Sequence, residues 1–263
     1  MDDVYLTLQS EFLDEARDRL GEMEDCLNDA YTGQTDGAEA LIKLRREAHT
    51  LKGMGNAFGF PLITVLTHRL EDYMSHLSEP TAEHSKDIQY FIDRTWDVVR
   101  RGENPSDSET REVLRALPVF RSHQNINADE LDTEILLVCD SQTIARKIGN
   151  DLTAYGFRII NVSNALDALS MAVSMHPDII ITSGVLKGLN GFDLVRALSA
   201  MHATKHVPLA VFTSFDAEHP EVMSLASSIP VVHLGPDVSD ELTLALTNLE
   251  YQTLAPSHVD RAS

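Results

Sequence analysis

The chain is predicted to be α plus α/β: an N-terminal antiparallel helical bundle of four helices plus a short fifth, followed by a five-stranded parallel α/β domain. Three observations predict it. Apolar residues keep a helical period through the first hundred positions, the composition shifts toward Gly, Asn, Pro, Ser and charge over 102–132, and from Glu134 short β-rich runs alternate with helical segments. A length of 263 residues and a hydrophobic content of 43% suit two ordinary cores.

In the first half, Phe12, Ala16, Leu20, Met23 and Leu27 make one apolar stripe, and Leu41, Leu44, Ala48 and Leu51 make a second. Leu62, Val65, Leu66, Leu70, Tyr73 and Leu77 make a third. The fourth runs over 83–101 with Ile88, Phe91, Ile92, Trp96 and Val99, Trp96 being expected as a core anchor. Short connections make these segments antiparallel neighbours. Ser106-Asp107-Ser108-Glu109 reads as a capping box before a short fifth helix that carries Val113, Leu114 and Leu117 and ends before Pro118. The expected organisation is a bundle over 1–120, a linker over 121–132, the second domain over 133–252 and a disordered tail over 253–263.

The strand-like runs of the second half are Ile135 to Val138, Arg158 to Val162, Ile179 to Thr182, Leu209 to Thr213 and Val231 to Leu234. Helices are expected near 142–155, 164–175, 191–202, 220–227 and 237–251. Such alternation predicts a parallel sheet covered on both faces, whose ligands bind at the carboxyl ends of the strands.

Composition excludes several function classes. A net charge of −20 argues against nucleic acid as a ligand, because phosphate backbones are bound through clustered Lys and Arg. No apolar run has the length of a membrane span, and Met1-Asp2-Asp3 has neither the basic nor the apolar region of a secretory signal. The reading is therefore cytoplasmic, with no membrane insertion. Two cysteines, Cys26 and Cys139, support neither a disulfide framework nor a zinc site.

The most informative stretch is Ala48-His49-Thr50-Leu51-Lys52-Gly53, with Gly59 six residues further on. On a helix, positions 45, 49, 52, 53 and 56 share a face, so Arg45 and Lys52 flank an imidazole that Gly53 leaves sterically open. The second helix is expected to end near Phe58-Gly59-Phe60, and Pro61 suits the first turn of the third. Folding back around position 60 sets His49 against Glu71 and Lys52 against His68. A carboxylate that accepts the Nδ1–H of His49 leaves Nε2 as a free nucleophile, with Lys52 placed to neutralise phosphoryl oxygens. A metal held by His49, His68 and Glu71 is the rival use of the patch, and Lys52 would repel it. His76 and His84 read as solvated surface residues.

The run Arg46-Glu47-Ala48-His49-Thr50-Leu51-Lys52-Gly53, continuing through Phe58-Gly59-Phe60 to Thr67-His68-Arg69-Leu70-Glu71, resembles a histidine phosphotransfer (HPt) domain. More narrowly, it is similar to the phosphoacceptor domain of chemotaxis-type histidine kinases, which also has a fifth helix. The resemblance covers roughly residues 1–120 and implies that His49 is the phosphorylated histidine. It further implies that Glu71 is its hydrogen-bond partner and that Lys52 and His68 support the pair. Nothing resembles the asparagine and glycine-rich boxes of a kinase ATP site, and no Walker-type loop is present. The chain is thus expected to be a phosphotransfer intermediate, not an enzyme that phosphorylates itself.

Residues 133–251 resemble a response-regulator receiver domain, CheY-like and flavodoxin-like in the order of elements. The resemblance rests on Ile135-Leu136-Leu137-Val138-Cys139-Asp140-Ser141, on Pro177-Asp178-Ile179-Ile180-Ile181-Thr182-Ser183 leading to Gly188-Leu189-Asn190-Gly191, and on Val211-Phe212-Thr213-Ser214. Active receivers use an acid pair for Mg²⁺, an aspartate nucleophile, a hydroxyl and a lysine. The resemblance puts Cys139 and Asp140 at the acid pair, Ser183 at the nucleophile, Thr213 at the hydroxyl and Gly235 at the lysine. Val232 stands where a switch aromatic is expected. Three of the five chemical groups are missing, an acyl phosphate cannot form on Ser183, and one acid makes a weak Mg²⁺ site. The domain therefore reads as a degenerate, non-phosphorylatable pseudoreceiver, a phosphate on Ser183 itself being the minor alternative.

The expected function is a phosphorelay step in which His49 accepts and donates a phosphoryl group between a partner kinase or receiver and a downstream response regulator. The pseudoreceiver would serve docking, dimerisation or regulation. No cofactor is expected to bind stably, Mg²⁺ coming from the partner receiver or kinase. Expected partners are a histidine kinase or hybrid kinase and response-regulator receiver domains, with a homodimer possible. The alternative is a non-catalytic adaptor or inhibitor of a kinase or regulator, acting through the pseudoreceiver.

Overall fold

The computed structural model describes residues 2–120, 133–236 and 238–254, which form two compact units divided between Ser122 and His123. The expected linker 121–132 lies outside the described residues.

The first unit consists of α1 (Asp2–Tyr31), α2 (Gly37–Gly55), α3 (Pro61–Ser75), α4 (Ala82–Arg101) and the short α5 (Asp107–Arg115). The apolar stripes meet in one core, where Phe12, Leu20, Met23, Leu41, Leu44, Leu51, Leu66, Leu70 and Phe91 are almost wholly removed from water. Burial of each such side chain stabilises the fold by about 1.5–3 kcal/mol. Local signals set the boundaries. The Asp36 side chain accepts from the amides of Ala38 and Glu39 at the start of α2, and Pro61 opens α3. Ser106 and Glu109 close the expected box on α5.

Several expectations are corrected. Helix α2 ends at Gly55, not near Phe58, and residues 56–59 form a turn in which Gly59 takes φ +84°. The turn is closed by Phe60 N–H on the Gly55 carbonyl at 2.8 Å, and the helices approach closely there: a Cβ on Gly55 would lie 2.8 Å from Thr64 Oγ1 and 3.0 Å from the Phe60 carbonyl oxygen. Trp96 is half-buried with the Arg100 guanidinium 4.8 Å above its ring, so it lines the rim and does not anchor the core. His84 closes a capping box with Thr81 on α4. His76 stacks on Phe120 at 4.9 Å and His84 lies 5.9 Å from the same ring, so neither is a merely solvated residue.

The second unit alternates β1 (Glu134–Val138), α6 (Gln142–Ala154), β2 (Arg158–Val162), α7 (Ala165–Met175), β3 (Ile179–Ser183), α8 (Gly191–Ala200), β4 (Leu209–Thr213), α9 (Pro220–Met223), β5 (Val231–His233) and α10 (Val238–Leu254). All neighbouring strands are parallel, in the order β2-β1-β3-β4-β5. Strands β1, β3 and β4 are buried along their whole length, as central strands covered on both faces must be. Helix α9 is a single turn where eight residues were expected, the Ser227-Ser228-Ile229-Pro230 run being poor helix material. Helix α10 continues to Leu254, two residues into the expected tail, and 255–263 lie outside the described residues.

Candidate functional site

The α2–α3 hairpin builds the site. Thr64 Oγ1 donates to the Lys52 carbonyl oxygen at 3.1 Å, Phe60 N–H donates to the Gly55 carbonyl at 2.8 Å, and Gly55 leaves no side chain between the two helices. The helices are thereby held at side-chain reach along the turns that carry His49 and Glu71.

His49 projects from α2 with 72% of its side chain exposed, and its Nδ1 lies 2.9 Å from Glu71 Oε1. The other carboxylate oxygen, Oε2, lies 2.5 Å from Lys52 Nζ. Glu71 and Lys52 are only 20% and 24% exposed, so the carboxylate is confined between imidazole and ammonium. This geometry suits an Nδ1–H donated to Glu71, which directs the Nε2 lone pair to solvent. A Cβ on Gly53 would meet nothing within 4 Å, so the space beside the imidazole is open.

The other expected members are placed differently. Arg45 turns away from His49: its guanidinium donates to the carbonyls of Met74 and, at 2.9 Å, Leu77. It thus bonds the carbonyl of Met74 in the last turn of α3 and that of Leu77 just beyond it, where the helix dipole favours a cation. Lys52 reaches Glu71 where the pairing around position 60 had set it against His68. His68 is half-buried on α3, one turn before Glu71. Ala48, the residue before His49, is fully buried in the core. Ile42, two turns before His49 on the same face of α2, is 68% exposed instead. Its place outside the buried 41, 44, 48, 51 stripe was a signal available in the sequence. Among the described residues no three His, Cys, Asp or Glu side chains gather as a metal-holding group.

Glu47 was also missed. It is 3% exposed and bridges two arginines: Arg19 Nη1 from α1 donates to Oε2 at 2.6 Å, and Arg46 Nε donates to Oε1 at 2.9 Å. Burial pushes its carboxyl up, but the hydrogen bonds from Arg46 and Arg19 together hold it below the ordinary value.

In the second unit the parallel sheet brings the carboxyl ends of β1, β3, β4 and β5, with Cys139, Asp140, Ser183, Thr213 and Gly235, to one edge. Cys139 is buried, its thiol donating to the Ser141 carbonyl at 3.4 Å, and burial pushes the thiol up so that it is neutral at pH 7. Ser183 Oγ donates to the Val185 carbonyl at 2.8 Å, and Thr213 Oγ1 accepts from Phe215 N–H at 3.2 Å. Each hydroxyl is engaged with its own loop. A Cβ on Gly235 would meet nothing within 4 Å, and Val232 is buried in the sheet. One carboxylate, one neutral thiol and two hydroxyls do not make the hard, charged oxygen set that magnesium takes. A Cβ on Gly191 would lie 1.7 Å from the Ser183 carbonyl oxygen, so only glycine lets α8 start against the end of β3.

A helical bundle with an exposed, carboxylate-paired histidine, joined to a five-stranded parallel α/β unit, defines a class of phosphotransfer signalling proteins. Residues 7–102 match the Hpt domain, and through residues 135–228 the chain belongs to the response regulator receiver domain family. Together the two domains make this a two-component phosphorelay protein, and both are phosphotransfer modules without a kinase domain. Protein PilH of Pseudomonas aeruginosa is 32% identical over 88 residues, 34% of this chain and 73% of that protein. Chemotaxis protein CheY of the same organism is 34% identical over 36% of this chain and 77% of its own length. Chemotaxis protein CheA of Salmonella typhimurium is 32% identical over 98 residues, 37% of this chain, but the match spans only 14% of CheA. Among solved structures, the response regulator CheY4 of Vibrio cholerae aligns at 21% identity with TM-score 0.39, covering 44% of this chain and 98% of that one. Within the described residues no helix is long and apolar enough to cross a membrane.

Proposed function

We propose that His49 accepts and donates a phosphoryl group between a partner kinase or receiver and a downstream response regulator. The observation that carries the reading is the exposed imidazole whose Nδ1 lies 2.9 Å from Glu71 Oε1, with Lys52 on the other oxygen. Glu71 sets the tautomer, Lys52 neutralises charge, and Gly53 leaves room for the incoming group. A phosphoramidate on Nε2 is a high-energy linkage, so transfer needs positioning and charge neutralisation more than a dedicated base. The receiving aspartate and its Mg²⁺ belong to the partner.

The receiver domain in this reading is a pseudoreceiver: Ser183 cannot carry an acyl phosphate, and Asp140 alone holds Mg²⁺ weakly. It serves docking, dimerisation or regulation. The donor set at the strand ends also favours a second reading, an adaptor or inhibitor that acts through this unit with His49 incidental.

The test is phosphoryl transfer to the wild type and to His49→Ala and Ser183→Ala, from a panel of phosphorylated receivers and active histidine kinases, scored as acid-labile label. Label on the wild type and Ser183→Ala but not on His49→Ala supports the relay. No label with any donor, together with stable binding to one of them, supports the adaptor.

A further inference from the structure

We infer that Arg46 is the second cation of the phosphoryl site, contacting the phosphoryl oxygens when His49 is phosphorylated. The inference rests on the relay reading of His49. Its first ground is charge. The Lys52 ammonium is already matched by the Glu71 carboxylate it touches, so the pair brings no net positive charge. A phosphoryl group adds close to two negative charges, which this set leaves uncompensated.

The second ground is placement. Three cations lie within one turn of His49 on α2. Lys52 is tied to Glu71, and Arg45 is turned to the carbonyls of Met74 and Leu77. Arg46 is one turn before His49, so the two side chains are surface neighbours with Cβ atoms about 5–6 Å apart. It stands on the side of His49 opposite Lys52, on the same face of α2 as Gly53 two turns further on. Its side chain is 69% exposed.

The third ground is the way Arg46 is held. Nε and Nη2 both reach Glu47 Oε1 at 2.9 Å, and Arg19 occupies Oε2 from α1. A guanidinium has five N–H groups in a planar fork, so the remaining edge is available to an oxyanion. Glu47 stays ionised, and Arg19 keeps it paired when the Arg46 fork shifts toward the phosphate.

In the transfer itself the P–Nε2 bond breaks and its electron pair returns to Nε2, while a carboxylate oxygen of a Mg²⁺-loaded partner receiver forms the new P–O bond. Arg46 stabilises the charge on the moving group and exchanges no proton.

The experiment uses the full chain, labelled at His49 by an active kinase and then mixed with a receiver over a range of concentrations. Arg46→Ala is expected to lower the rate at saturating receiver by about tenfold or more, with half-saturation changed less than about threefold. Arg46→Lys is expected to recover part of that loss. Thermal melting checks the fold, which keeps the Arg19–Glu47 pair. A saturating rate equal to wild type, or a loss confined to half-saturation, overturns the inference. Label persisting on His49→Ala overturns the relay reading instead, so the two failures are distinguishable.

Discussion

At the scale of single residues the site depends on two side chains that are small or doubly engaged. Gly53 tolerates a Cβ sterically, since nothing lies within 4 Å of one. Gly53→Ala is therefore expected to raise stability by about 0.5–1 kcal/mol through helix propensity, read by urea denaturation. Gly53→Phe should leave the melt close to wild type yet lower transfer at least about tenfold, because the ring fills the seat beside His49. Normal transfer by that variant would defeat the proposed docking geometry. Glu71→Gln keeps the shape of the side chain but removes the charge that Lys52 and the imidazole share. It is expected to slow phosphoryl acceptance by about tenfold or more, and NMR of the His49 ring nitrogens should show a mixed tautomer where the wild type shows one.

At the scale of elements the hairpin and the α1–α2 contact decide stability. Gly55→Ala would press a Cβ against Thr64 Oγ1 at 2.8 Å and against backbone at 3.0 Å, forcing α2 and α3 apart. The expected cost is about 1–3 kcal/mol in urea unfolding. Transfer should fall with it, since the His49–Glu71 distance depends on that spacing. Glu47 makes the α1–α2 contact pH-dependent. Its folded pKa is depressed, because the hydrogen bonds from Arg46 and Arg19 outweigh burial. Such a carboxylate contributes stability above its unfolded pKa of about 4.3, and the contribution is lost as pH falls through the lower folded value. Thermal melts should therefore show stability declining below about pH 4.3, and Glu47→Gln should flatten that decline.

At the scale of the whole molecule, two domains of one signalling system carry unequal chemistry. The first pairs an exposed histidine with a carboxylate and an ammonium, whereas the second carries the Cys139 thiol, the Ser183 hydroxyl and Gly235 at the carboxyl ends of its parallel strands. A chain ending near residue 121 is expected to accept and pass phosphate at the wild-type rate while losing affinity for a partner that the second domain docks. Equal binding by the shortened chain, measured by calorimetry, would remove the proposed docking role.

Sequence by itself determined most of the elements and singled out His49 as the candidate phosphoacceptor. Helical and strand periods follow from which side chains avoid water, caps such as Ser106 with Glu109 act within one turn, and the His49-to-Gly53 spacing is a local property of a helix. Tertiary structure alone decided the partners. Arg45 and Arg46 are adjacent in sequence and equally charged, yet one caps α3 and the other joins Glu47 and Arg19. That choice depends on which carbonyls and carboxylates neighbouring helices bring within reach. The same holds for Phe120 against His76 and His84, for Trp96 at the rim, and for Gly55, whose value is the space it leaves. Periodicity tells which face a residue occupies, but an ion pair or a close helix contact is set by distances between elements, and those exist only once the chain has packed.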